Sequence, residues 1–128
     1  EESRQWVEAI ALYSQMEFCV ATKQRRGDRD VKITLPEGKY KGRNMVLVDD
    51  MASSGQTLTQ TARQLNQYQP ASISVLVTHA LFQGNAIKNL LDEGITNIWS
   101  CNSISHATNV VSLTDLLAEN LKTYLLDL

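Results

Sequence analysis

The order of apolar and polar residues predicts an α/β fold: a three-layer domain with a mainly parallel central sheet and helices on both faces. Three observations carry this reading. The runs "NMVLVDD" (44–50) and "SISVLVTHALF" (72–82) are apolar at successive positions, the pattern of strands buried on both faces of a parallel sheet. Each is followed by a stripe at helical spacing, first Leu58, Ala62 and Leu65, then Ile87, Leu90 and Leu91. Strands that alternate with helices imply a parallel sheet, with ligands at the carboxyl ends of the strands.

Taken in order, residues 2–15 form an amphipathic helix on Trp6, Ile10 and Tyr13, with Val7 on its edge. "EFCVATK" (17–23) reads as a short strand with a polar tip. "DVKITL" (30–35) reads as a second extended run, set between the turn compositions "KQRRGDR" and "PEGKYKGR". The 44–50 strand then leads through a Ser/Gly loop into a helix, and the 72–82 strand into a helix that Gly94 ends. "TNIWSC" (96–101) and the short "NVVS" (109–112) are further strands. Ser112 and Asp115 have capping-box spacing for a last helix carrying Leu113, Leu116, Leu117, Leu121 and Tyr124. Trp6 and Trp99 lie within apolar patterns and are expected in the core.

The 128 residues make one domain, 1–128. With 43% hydrophobic and 20% charged residues the composition is that of a soluble globular protein. A net charge of −2 excludes a general nucleic-acid binder, the basic stretch Lys23 to Arg29 being a local exception. No run approaches the roughly 20 apolar residues of a membrane helix, and the first residues lack a signal-peptide pattern. Cys19 and Cys101 have no CxxC or His neighbours, so buried, reduced thiols are expected, with neither a disulfide nor a zinc site. These features point to the cytoplasm. The opening "EESRQWVEAIAL" is a helix already under way without an initiator Met, so the chain is expected to be a piece of a longer one.

The chemistry concentrates in "LVDDMASSGQT", Leu47 to Thr57. Asp49 and Asp50 fall at the carboxyl end of a strand expected to be central in the sheet, where a carboxylate can accept two hydrogen bonds from a vicinal diol or hold a divalent cation through water. Ser53, Ser54, Gly55, Gln56 and Thr57 follow at the start of a helix. Backbone N–H groups there, with small side chains and hydroxyls beside them, make a phosphate cradle. A diol holder and a phosphate cradle a few residues apart suit one compact ligand such as ribose 5-phosphate. The plain alternative is a solvated turn in which Ser53 or Ser54 caps the helix and the aspartates face water. The buried strand before the loop and the helix after it supply the context that favours a ligand site.

"VLVDDMASSGQTL" resembles the phosphoribosyl pyrophosphate binding motif shared by type I phosphoribosyltransferases and ribose-phosphate pyrophosphokinases. The resemblance to the pyrophosphokinases extends through "EESRQW", "ATKQRRGDRDVKI", "VTHALF" and "VVSLTDLLAENL", essentially the whole chain but about the C-terminal half of a family member. It implies a type I phosphoribosyltransferase-like fold, a missing N-terminal half and a homo-oligomer. A Lys-x-Arg pair on a flexible loop is catalytic in that family, and Lys23 and Arg25 match it. Asp49 matches the residue that holds the ribose hydroxyls, and Ser53 to Thr57 match the loop around the 5-phosphate. That loop departs from the common Asp-Thr-Gly-Gly-Thr, being Ser-Ser-Gly-Gln-Thr, and Ala52 stands where a larger aliphatic residue is usual. The change makes the loop less negative and removes one hydroxyl acceptor, but leaves the backbone N–H groups and hydroxyls on which phosphate binding rests.

The implied reaction is diphosphoryl transfer from ATP to ribose 5-phosphate, giving phosphoribosyl pyrophosphate and AMP with Mg2+ as cofactor. Phosphoryl transfer asks mainly for positioning and charge neutralisation, a role open to Lys23 and Arg25. Two other readings use the same residues: a phosphoribosyltransferase, and a non-catalytic regulatory subunit associated with active enzyme. His79, at a strand end, reads equally as a structural histidine, and His106 as a loop residue.

Overall fold

The computed structural model describes residues 3–26 and 30–126. The elements run α1 (Arg4–Ser14), β1 (Thr22–Arg26), β2 (Asp30–Thr34), β3 (Asn44–Ala52), α2 (Gln56–Asn66), β4 (Ser72–Ala80), α3 (Ala86–Asp92), β5 (Asn97–Cys101), β6 (Asn109–Val111) and α4 (Thr114–Leu126). The fold is α/β, as expected. A four-stranded parallel sheet has the order β3-β4-β5-β6, and β1 pairs with β2 as a separate antiparallel hairpin. Each step along the sheet moves one strand in the same direction. With the right-handed crossovers that parallel units adopt, α2 and α3 fall on one face, where they pack against each other.

That face holds the core. Strand alternation sends Ile73, Val75 and Val77 of β4 to it, where they meet Leu58, Ala62 and Leu65 of α2, Leu90 of α3 and Ile95, all buried. Burying one such Leu side chain stabilises the fold by about 1.5–3 kcal/mol. The opposite face carries Val48, Leu76 and Trp99 side by side across three strands, each half-buried. The 44–50 run, expected to be central and buried on both faces, is half-buried on both, because β3 is the edge strand of the sheet and only β4 lies beside it among the described residues.

Gly94 ends α3 as expected. Its N–H donates to Leu91 O at 2.9 Å and the Ile95 N–H to Leu90 O at 3.2 Å, a Schellman motif in which buried Ile95 and Leu90 supply the apolar contact. Gly94 has φ +84°, and a Cβ there would meet no atom within 4 Å. Gly94→Ala therefore tests backbone conformation alone and is expected to cost about 1–2 kcal/mol in urea unfolding, the left-handed penalty of an L-residue.

Several expectations are corrected. Glu17 to Ala21 form no strand; the extended segment begins at Thr22, so Lys23 and Arg25 lie within β1 and not in a loop after it. The part of the basic turn at Gly27, Asp28 and Arg29 lies outside the described residues, as does Glu2 of the first helix. Helices form at both ends of the chain, but their apolar stripes are not buried. Only Ala11 is buried in α1, and no residue is in α4. Trp6 is 46% exposed and Tyr13 91%, while Leu116, Leu117, Leu121 and Tyr124 are all exposed. In α3 the buried pair is Ala86 and Leu90, with Leu91 outward. Trp99 is half-buried. Both cysteines are free thiols, but Cys19 is exposed and Cys101 half-buried. The capping box does not form, because α4 begins at Thr114, whose N–H is reached by the Ser112 hydroxyl at 3.3 Å.

Candidate functional site

β3 runs two residues past Asp50, to Ala52, before the chain turns into α2. Gly55 is the N-cap of α2, at φ +71° and ψ 8°, and makes no side-chain cap. The left-handed conformation is one that glycine adopts without strain, and a Cβ at Gly55 would approach the Ala86 Cβ at 3.4 Å. A glycine cap leaves the first N–H groups of the helix without a side-chain partner at that position. Ser54 Oγ accepts from the Gln56 N–H only at 3.4 Å, so the reading of these serines as ordinary helix caps is weakly supported. The start of α2 presents free donors, an exposed Ser54 and Gln56, and a half-buried Thr57, the equipment of an anion site.

Asp49 lies on the same side of β3 as Met45 and Leu47, and is paired in register with buried Val77. That position explains its electrostatics. Burial raises its pKa above the ordinary carboxylate range, and the neighbouring Asp50 carboxyl raises it further; the Asp50 backbone N–H and the Lys23 ammonium pull the other way. The Asp50 N–H donates to Asp49 Oδ1 at 2.9 Å, which fixes the carboxylate beside the loop. Two adjacent carboxyl groups so placed suit a partner that neutralises or hydrogen-bonds them, whether a diol or a hydrated cation.

The hairpin brings the cations. Buried Ile33 of β2 packs towards α2, and Gln64 Nε2 donates to Ile33 O at 2.6 Å, so the hairpin is anchored along that helix. Lys23 is opposite Ile33 in register and Arg25 opposite Val31, which puts both cations on one side of β1. Lys23 Nζ donates to Thr57 Oγ1 at 2.9 Å across 34 residues of sequence. Lys23 and Thr57 are therefore brought together with Asp49, while exposed Arg25 makes no hydrogen bond among the described residues.

Sequence reasoning missed the loop after β4. Its Phe82 N–H donates to Ala52 O and its Gln83 N–H to Ser53 O, both at 2.9 Å, and the Ser53 hydroxyl donates to Gln83 Oε1 at 3.2 Å. The signal was available: β3 and β4 are consecutive parallel strands, so the loops that follow them share one edge of the sheet. His79, beside Met51 in register, bonds through Nδ1 to Ser103 Oγ at 2.8 Å, and Ser103 in turn donates to Thr78 O. This is a structural link. His106 contacts Thr108 Oγ1 at 2.8 Å and serves the same end in its loop.

Mg2+ bound mainly by substrate phosphates needs few protein ligands. No group of three or more His, Cys, Asp or Glu side chains that could hold a metal occurs among the described residues. Asp49 and Asp50 fit the other pattern, a carboxylate or two reaching a hydrated ion.

A family model described as a phosphoribosyl transferase domain matches residues 2–115. Among curated relatives, ribose-phosphate pyrophosphokinase 2 of Archaeoglobus fulgidus is 31% identical over 119 residues, covering 93% of this chain and 44% of that protein. The ribose-phosphate pyrophosphokinase of Methanopyrus kandleri is 30% identical, covering 93% of this chain and 41% of its own length. The crystal structure of phosphoribosylpyrophosphate synthetase from Mycobacterium smegmatis matches with a TM-score of 0.70 at 18% identity, over 94% of this chain and 42% of that one, which shows the shared fold. The chain spans less than half the length of these proteins. On the match over residues 2–115, this chain belongs to the phosphoribosyl transferase domain family, and its curated relatives within that fold are ribose-phosphate pyrophosphokinases.

Proposed function

We propose that this chain supplies the ribose 5-phosphate site of a ribose-phosphate pyrophosphokinase, as the C-terminal half of a longer enzyme. The observation that carries the reading is the glycine-capped start of α2 with Lys23 Nζ 2.9 Å from Thr57 Oγ1. In this reading the 5-phosphate lies on the Ser53 to Thr57 loop, and the Asp49 carboxylate accepts from the ribose hydroxyls. The anomeric hydroxyl, giving up its proton to water, attacks the β-phosphorus of ATP. The bond between that phosphorus and the oxygen bridging it to the α-phosphate breaks, and AMP leaves. Lys23 and Arg25 neutralise charge on the transferred group, the main service such a reaction asks of a protein. Asp49 or Asp50 would hold a hydrated Mg2+, which would supply charge neutralisation to the phosphates. ATP binding and turnover belong to the assembly with the missing half. The exposed apolar stripes of α1 and α4 support an assembled form, here a homo-oligomer. Two free thiols, and no helix among the described residues long and apolar enough to cross a membrane, support a place in the cytoplasm.

The test is a calorimetric titration of the chain with ribose 5-phosphate, with and without Mg2+, beside Thr57→Ala. Saturable binding is expected, weakened about tenfold in the variant, as suits one lost hydrogen bond to a charged group. A chain that releases no heat with ribose 5-phosphate under either condition would refute the site. In the full-length enzyme, AMP release separates this function from a phosphoribosyltransferase, which would consume a nucleobase instead.

A further inference from the structure

The loop between β4 and α3 holds two residues at positive φ close together. Phe82 has φ +27° and Gly84 φ +58°. A bulky L-residue at positive φ is a genuine outlier and persists only where its surroundings over-determine it. Here they do. The Phe82 N–H is held by Ala52 O at 2.9 Å, and the ring lies against His106 with centroids 5.3 Å apart. His106 is itself tied through Thr108 to fully buried Ser100.

This strained turn delivers Gln83 to the start of the phosphate loop. Gln83 grips Ser53 twice, by its N–H on the Ser53 carbonyl at 2.9 Å and by its Oε1 on the Ser53 hydroxyl at 3.2 Å. A serine hydroxyl has one proton to give, so a proton committed to Gln83 is withheld from any ligand. Ser53 then differs from Ser54 and Thr57, whose hydroxyls face the start of α2 or the Lys23 ammonium.

We propose that Gln83 is a positioning residue for the phosphate site: it acts through Ser53, which pins the loop in place and gives no hydrogen bond to the phosphate. The proposal rests on the reading of this loop as the ribose 5-phosphate site. It predicts that Gln83 and Ser53 work as one unit, since residues in a single hydrogen-bonded link do not act additively.

The experiment is a double-mutant cycle on the chain, with Gln83→Ala, Ser53→Ala and the pair, titrated with ribose 5-phosphate and with inorganic phosphate. Each single variant is expected to weaken both ligands by about five- to tenfold, the worth of one neutral hydrogen bond, and the pair by no more than either alone. Thermal midpoints should stay within about 2 °C of the parent, because the link is at the surface. Losses that multiply in the pair would overturn the proposal, by showing that Ser53 meets the ligand on its own account. So would a Gln83→Ala variant that binds as the parent does. A parent chain that binds neither probe would overturn the site reading and this proposal with it, an outcome distinguishable from the other two.

Discussion

Asp49→Asn is expected to weaken ribose 5-phosphate binding by about ten- to a hundredfold while raising the thermal midpoint of the chain at pH 7. The affinity loss follows from chemistry: a carboxylate accepting from hydroxyls makes hydrogen bonds worth about 1.5–3 kcal/mol, and a neutral amide makes weaker ones. The stability gain follows from burial. Desolvation beside Val77, and the Asp50 carboxyl next to it, hold the Asp49 pKa above its ordinary value. A carboxyl group whose pKa is raised by folding contributes stability that is full below its unfolded pKa and is lost as pH rises through the folded one. As pH rises towards 7 the charged form of the group therefore increasingly opposes folding. Asparagine carries no charge and keeps an oxygen to accept the Asp50 N–H now held at 2.9 Å. Melting curves from pH 4 to pH 7 check this: the gain should be present at pH 7 and shrink towards acid. A variant less stable than the parent at pH 7 would show that Lys23 outweighs burial and holds Asp49 as an anion.

Lys23→Ala, introduced into the enzyme assembled with its complementary half, is expected to lower turnover by about a hundred- to a thousandfold, the usual effect of removing one preorganised donor from a developing charge. The affinity for ribose 5-phosphate should change far less. Lys23 is exposed, and its bond to Thr57 is to a neutral hydroxyl, so the ground state gains little from it. In the proposed reaction the transferred diphosphoryl group offers the larger charge. Steady-state kinetics on ribose 5-phosphate separates the two roles: a fall in kcat at nearly constant KM places Lys23 on the transferring group, whereas equal losses in affinity and rate would place it on the 5-phosphate instead.

The two variants probe different depths of the sequence. Asp49, Asp50 and the loop to Thr57 were legible as a candidate site because an apolar strand run, a small-residue turn and a helical stripe follow one another without a gap, and each is a local pattern. Lys23 and Arg25 were legible only through resemblance. Their own neighbourhood reads as a basic turn, and the strand they occupy was set several residues too early, because the apolar run "EFCVA" outweighs "TKQRR" on pattern alone. The place of the loop after β4 could be read from two consecutive parallel strands, but Gln83 itself could not, since nothing within "LFQGN" distinguishes it from any exposed glutamine.

The sequence by itself determined the α/β class, the order of the four parallel strands' elements, the glycine that ends α3 and the acidic strand end that feeds α2, since all of these are written in residues within a few positions of one another. Tertiary structure decided three things. It set the hairpin along α2 so that Lys23 meets Thr57, it laid the loop after β4 against Ser53, and it left the apolar stripes of α1 and α4 exposed. The physical reason is the same in each case. A periodic stripe or a charged side chain fixes which face seeks a partner, but which partner it meets depends on contacts between segments some 30 residues apart, and these exist only once the sheet has formed.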